Sequence, residues 1–243
     1  MARRLTYEEK GKGVAKASEP LRSGRIVDPD FDCSELIKKH ELTLVGRVTN
    51  LKYQRFWSLI PFLSDLWKTS SRAIGADRGQ GLFQFQFANA EDMELVLEKR
   101  PYHFAKWMVI IQKWEPTMSA TFPSQIPFWI RVHGVPLHLW SDDILRRMGE
   151  DLGIYHRSDI TPGSLKMRVE INGLLPLLKT YTLEFAKGGG EITTTLVYEK
   201  LDKHCLHCSK LDHEREGCPE LTEQRRKSQG KYLKKQEKNC EKS

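Results

Sequence analysis

The chain has 243 residues, of which 39% are hydrophobic and 29% charged, and a formal net charge of +7. That length suits one or two domains with small appendages, and that composition can bury a real core while leaving charged ends. The longest apolar runs are far short of a membrane helix, the first ten residues lack a signal-peptide apolar segment, and an odd set of five cysteines fits a reducing nucleus or cytoplasm rather than a disulfide scaffold.

Residues 1–40 mix charge with Gly11, Gly13, Pro20, Gly24 and Pro29 and show no sustained period, so they are expected to be mostly disordered, with short helical turns near Ser34–Lys39. From Glu41 the pattern sharpens. Leu42, Leu44 and Val48 alternate as on a strand. Phe56, Leu59, Ile60, Leu63, Leu66 and Trp67 recur at helical spacing, with Pro61 expected to kink that helix or delay its start to about Ser58. Residues 73–77 and 82–87 read as strands joined at Arg78-Gly-Gln-Gly81. Asn89 caps a second helix stopped by Pro101, and Trp107–Trp114 makes a last strand.

Residues 41–115 therefore predict an α+β domain of order β-α-β-β-α-β, the ferredoxin-like, RRM-like arrangement. RNA-recognition domains of this fold stack bases on aromatic rings of the open sheet face. Here the period of two places Phe83, Phe85 and Phe87 together on the helix-covered face and leaves Leu82 and Gln84 where such rings are expected. The domain has the outline of a nucleic-acid reader without its stacking platform.

Residues 115–126 form a linker. A second small α+β unit is expected over 127–199: a central strand at Pro127–Gly134, a helix capped by Ser141 and ended by Gly153, then strands at 165–171, 181–186 and 191–198, the last two closed by Gly188-Gly-Gly190. The triple glycine precedes no helix and has no Lys-Ser/Thr behind it, so it is no phosphate loop. No nucleophile or metalloprotease motif is present in the sequence. Asp142 and Asp143 suit a helix start, and His103, His133, His138 and His156 are scattered. The expectation is a protein without catalysis and without a small-molecule substrate.

Residues 200–220 hold the strongest motif. Cys205, Cys208, His213 and Cys218 have the spacing Cys-x2-Cys-x4-His-x4-Cys of a zinc knuckle, with His204 and His207 as alternative ligands nearby. Zn2+ takes four tetrahedral thiolate and imidazole ligands in structural sites, and a shell filled by protein leaves no place for an activated water. Behind it, residues 221–243 carry eight basic against three acidic side chains, a basic disordered tail that slightly favours a nuclear location. Arg225, Arg226, Lys227, Lys231, Lys234 and Lys235 are its candidate nucleic-acid contacts, acting by phosphate neutralisation and counterion release.

Four stretches, Leu44-Val-Gly-Arg-Val48, Phe83-Gln-Phe-Gln-Phe87, Pro127-Phe-Trp-Ile-Arg-Val-His-Gly-Val-Pro136 and Tyr198-Glu-Lys-Leu201 running into the knuckle, together resemble a plant family. Its members are domain-of-unknown-function proteins with a C-terminal CCHC zinc knuckle, similar to the gag-like nucleic-acid-binding proteins of plant non-LTR retrotransposons. The resemblance covers residues 36–220 and implies zinc and nucleic-acid binding without catalysis. Two positions depart from the knuckle pattern: Leu206 stands where an aromatic is usual, and Asp212 where glycine is usual. With Glu214 and Glu216 also acidic, the knuckle reads mainly as a zinc-folded hinge between a two-unit body and the tail. The partner expected is nucleic acid, RNA or single-stranded DNA before duplex DNA. Self-association through the two α+β units, and a decayed element product without selected activity, are the other readings.

Overall fold

The structure, a computed structural model, describes residues 32–184, 190–225 and 227. In its first unit a short helix α1 (Ser34–Lys39) precedes β1 (Thr43–Val48), α2 (Phe56–Trp67), β2 (Ile74–Gly79), β3 (Leu82–Gln86), α3 (Ala90–Glu98), β4 (Tyr102–Phe104) and β5 (Trp107–Lys113). The strands form one antiparallel sheet of order β2-β3-β1-β5-β4. Without the short edge strand β4 this is the ferredoxin-like order. Phe83, Phe85 and Phe87 are buried, facing Leu59, Leu63 and Trp67 of α2 and Met93 and Val96 of α3. Gly46 of β1 is required by this packing, because a Cβ there would lie 2.0 Å from the Phe83 ring.

Pro61 does not delay α2, which begins at Phe56 and carries the proline inside it. An interior proline costs about 3 kcal/mol. Burying Leu59, Leu63 and Trp67, each 3% exposed or less, returns about 1.5–3 kcal/mol per side chain, so tertiary packing outweighs the local defect. Asn89 caps α3 as expected: its Oδ1 accepts the Asp92 N–H at 2.8 Å. The strand β4 was not foreseen. Its turn at Ala105 and Lys106 uses two residues at positive φ, 51° and 68°, with no glycine or asparagine to announce it.

The second unit comprises β6 (Gln125–His133), α4 (Asp142–Leu152), β7 (Ile154–Thr161), β8 (Ser164–Asn172), β9 (Thr180–Glu184) and β10 (Glu191–Tyr198). Its sheet order, β7-β8-β6-β10-β9, repeats that of the first sheet strand for strand. Where the first unit has α3, the second has only the loop 173–179. The edge strand β7 is a second element missing from the sequence reading, because its residues are mostly polar and exposed. Ser141 caps α4 weakly, at 3.4 Å from the Ile144 N–H. Gly153 does end α4, but for a reason other than a left-handed cap: its backbone is extended, φ 167°, and a Cβ would lie 2.2 Å from the Glu170 carbonyl oxygen. The β9–β10 pairing is antiparallel, while the triple-glycine connection from 185 to 189 lies outside the described residues, as does the expected disorder of 1–31.

The described residues from Glu35 onward form one compact unit, and the reason lies in β5. Its Val109 and Ile111 face the helices of the first unit. Met108 and Ile110, on the opposite face, are fully buried in the second core with Ile126, Phe128 and Tyr198. The linker crosses that same face. Arg47 donates to the carbonyls of Pro123, Ala120 and Phe122 at 3.0–3.1 Å, and Gln112 Oε1 accepts the N–H groups of Ser124 and Gln125. The sheet face that carries rings in an RNA-recognition domain is here an internal surface.

Candidate metal centre and cationic surfaces

The Cys/His segment is built on a tight turn. Ser209, at φ 61°, donates its N–H to the Cys205 carbonyl at 2.9 Å, and Cys205 returns its own N–H to the Lys210 carbonyl at 2.8 Å. The Cys208 N–H points at Cys205 Sγ, 3.5 Å away. A 3-10 turn at Arg215–Gly217 then delivers Cys218, and residues 219–225 are helical.

These turns bring Cys205 Sγ, Cys208 Sγ, one His213 nitrogen and Cys218 Sγ within 4.8 Å of one another. Such a cluster can hold a metal ion. Cys205 and Cys218 are fully buried, and Cys208 and His213 half-buried. His213 Nε2 lies 3.3 Å from Cys208 Sγ, and Nδ1 lies 2.6 Å from Asp212 Oδ1. With the carboxylate as acceptor, Nδ1 carries the proton and Nε2 turns its lone pair into the cluster, the orienting role acidic partners play for metal-bound histidines. His204 and His207 stay outside the cluster.

The thiols are set apart electrostatically. Burial pushes Cys208 up to about 11. Burial also acts to raise Cys218, but the backbone N–H of Leu221, the His213 side chain and further donors outweigh it and bring this thiol down to about 7. Burial opposes protonation of His213, yet Cys218 and Asp212 prevail and raise it.

The segment is docked, not hinged. Leu211, 1% exposed, is buried in the second core beside Leu177, and the Leu177 N–H donates to the Ser209 carbonyl at 3.1 Å. On its other flank, the Lys203 N–H donates to the Lys106 carbonyl at 3.0 Å. The Lys203 ammonium pairs with Glu214 and lies 5.9 Å from the rings of Tyr53 and Trp107. The expected hinge is thereby corrected: the motif is wedged between the β4–β5 turn and the loop 173–179, where the second unit lacks a helix.

Of the tail cations, Arg225 is exposed and Lys227 pairs with Glu223 at 2.6 Å. Arg226, Lys231, Lys234 and Lys235 lie outside the described residues. A second set of cations was missed. Trp129 of β6 is ringed by Arg157, Lys166 and Arg168, whose charged groups stand 5.3, 5.4 and 5.8 Å from its ring centroid. The signal was legible in Phe128-Trp-Ile-Arg-Val-His133, where apolar residues alternate with Trp129, Arg131 and His133; reading this stretch only as a central strand overlooked it.

Among solved structures, the chain is similar to the Sxl-lethal protein/RNA complex, at 12% identity and a TM-score of 0.29, covering 65% of this chain and 98% of that one. It is also similar to the first two RRM domains of yeast poly(U)-binding protein Pub1, at 13% identity and a TM-score of 0.24, covering 53% and 81%. A curated Arabidopsis thaliana relative, "Uncharacterized protein At4g02000", is 23% identical over 134 residues, which span 53% of this chain and 42% of that protein. Residues 36–121, the first α+β unit with the start of the linker it binds, match the Domain of unknown function DUF4283.

Proposed function

We propose that this chain is a zinc-binding, non-enzymatic nucleic-acid-binding protein of the gag-like, retrotransposon-derived type, with RNA or single-stranded nucleic acid as its ligand. The observation that carries this reading is the convergence of Cys205, Cys208, His213 and Cys218 directly ahead of a cationic segment. Three thiol sulfurs and one imidazole nitrogen are a donor set that suits Zn2+, and four protein ligands complete its tetrahedral shell. When bound, the ion supplies a structural crosslink rather than an open catalytic position. Metal binding displaces the thiol protons, so its affinity rises with pH.

The tail supports affinity through phosphate neutralisation, which is insensitive to sequence and steeply dependent on salt. The knuckle itself contributes little base reading: Leu206 is exposed where a ring is usual, and Asp212, Glu214 and Glu216 repel phosphate. The expected location is nucleus or cytoplasm. The test is a salt-resolved binding series with RNA, single-stranded DNA and duplex DNA, with and without chelator. A chain ending at Glu220 should bind more weakly and with a shallower salt slope. Equal binding at every salt concentration would show the tail's assigned role to be wrong.

A second reading, self-association, is favoured by one feature. Trp57 and Ile74 are 81% and 73% exposed on the outer side of α2 and β2. Light scattering of nucleic-acid-free protein decides it: a strict monomer at high concentration removes this reading.

A further inference from the structure

The two sheets share one strand order but differ in what lies over their second face. In the first sheet that face is filled by the linker and by the second core. In the second sheet, α4 and the core cover one side, through Phe128, Ile130, Met167 and Val169. The other side is covered at Glu170, which pairs with Arg100 of the first unit, and opens toward Trp129, itself half-buried, and Arg131, which is exposed. Trp129 pairs in register with Arg168, which pairs with Arg157; Arg131 pairs with Lys166. Register partners share a face, so these five side chains stand together.

Charge on this face is unbalanced where the ring sits. Arg131 is paired with Glu199 at 3.0 Å and Lys166 with Asp159 at 3.1 Å. Among the described residues, no carboxylate lies within ion-pair distance of Arg157 or Arg168. The Arg168 guanidinium is held in place by the carbonyls of Glu98 and Arg100, at 3.3 and 3.1 Å. Burial, and then the like charges of Arg100 and Arg157, pull it below its ordinary value. Next to it opens a cleft of about 620 Å3 lined by Glu98, Lys99, His156, Arg157 and Arg168. A phosphate entering there meets the held Arg168 guanidinium, on which the opposing Glu170 charge acts more weakly than burial or the neighbouring arginines, and the Arg157 guanidinium beside it, while a base can stack on the indole or on a guanidinium plane. Cations beside an aromatic on an open sheet are the composition that binds single strands.

We propose that the open face of the second sheet, centred on Trp129 with Arg131, Arg157, Lys166 and Arg168, is the surface on which this chain engages single-stranded nucleic acid. This rests on the nucleic-acid-binding reading above and places the contact on the folded body, away from both the knuckle and the tail. The ring supplies stacking, Arg157 and Arg168 the phosphate contacts, and the flanking ion pairs Arg131–Glu199 and Lys166–Asp159 hold their cations ready at the rim.

The test uses the full chain and a fluorescein-labelled oligouridine and oligothymidine over a salt series. W129A should weaken binding about 5- to 100-fold, and W129F should recover most of the loss, because any aromatic face can stack. R157Q/R168Q should weaken binding and flatten the salt slope by about 1.4, roughly 0.7 per lost phosphate contact on a single strand. Hydrogen exchange of the unmodified protein should show oligonucleotide-dependent protection in 129–133 and 157–168, a readout that survives if a variant fails to fold. If a chain neutralised at its tail cations loses all binding while the W129A and R157Q/R168Q chains bind normally and 129–133 stays unprotected, this surface is wrong and the function stands. If the unmodified protein binds neither oligonucleotide, both are overturned. If anionic lipid vesicles bind as tightly, with R157Q/R168Q sensitive and W129A not, the face is a general anion patch and the proposal is likewise overturned.

Discussion

His213 Nδ1 stands 2.6 Å from Asp212 Oδ1 while its Nε2 faces Cys208 Sγ at 3.3 Å. The acidic residue that departs from the usual knuckle pattern is therefore the one that fixes the tautomer and aim of the imidazole. Removing an orienting partner of this kind typically costs 10–100-fold in metal affinity. D212A is expected to weaken Zn2+ binding by about that factor in a competitive chelator titration, while leaving one ion bound per chain at saturation. An unchanged affinity would mean that the carboxylate is a bystander.

Metal loss should reach the body of the protein. Leu211 is 1% exposed in the same core as Phe128 and Tyr198, between the ligands Cys208 and His213 and two residues before the latter. Chelation or C205S is expected to lower the unfolding midpoint of the whole second unit, read by urea titration followed by tryptophan fluorescence. L211A should cost about 2–5 kcal/mol even in saturating Zn2+, as large-to-small changes at buried leucines do. A freely hinged knuckle gives the opposite result, with an unfolding midpoint indifferent to both treatments.

Much of this architecture was legible because periodicity is a local signal: the phenylalanines of β3, the Asn89 cap and the cysteine spacing all show in short windows. What stayed hidden depends on partners distant in the chain. Met108 and Ile110 look like ordinary interior residues of β5, and nothing local says that they serve a different core from Val109 and Ile111. Gly153 looks like a helix stop, and only the Glu170 carbonyl explains why no side chain fits. Leu211 sits in a polar loop and reads as incidental until the loop 173–179 is seen to leave a core without a helix. The strand β7 and the turn at Ala105 and Lys106 carry no composition signal, since pairing with a neighbour creates them.

A pH limb should originate at the N-terminus of α3. The Asp92 carboxylate is held at about 2, first by the Ser70 hydroxyl and then by the Ser70 N–H, with Asn89 and the Ser71 N–H also donating. A carboxylate with its folded value depressed below 3.8 contributes stability that is full above the unfolded value and is lost as pH falls through the folded one. The urea midpoints of metal-free wild type and D92N should therefore differ most above about pH 4, and the gap should narrow toward pH 2. A gap constant with pH would mean that the substitution acts by packing alone.

The two units are also tied by an ion pair that is almost dry. Arg100, just after α3, meets Glu170 of β8 at 3.0 Å, with the side chains 14% and 13% exposed. The same guanidinium donates to the carbonyls of Leu97 and Ile111, so each of its three nitrogens has a partner. Burial pulls the arginine below its ordinary value and the Glu170 charge pulls it back, the balance expected of a pair whose desolvation cost nearly cancels its attraction. Removing Glu170 strands the arginine, and removing Arg100 leaves Glu170 with only His156 Nε2 at 3.4 Å: R100A and E170A should each cost about 3 kcal/mol. Replacing both, as R100M/E170L, should recover most of that loss, because the apolar pair leaves no charge unmet. Urea denaturation of the four proteins at constant pH and saturating Zn2+ checks this as a double-mutant cycle. Additive single losses would show the two side chains to be independent, and the coupling of the units would then rest on the other contacts between them, among them Met108, Ile110 and the Arg47-bound linker.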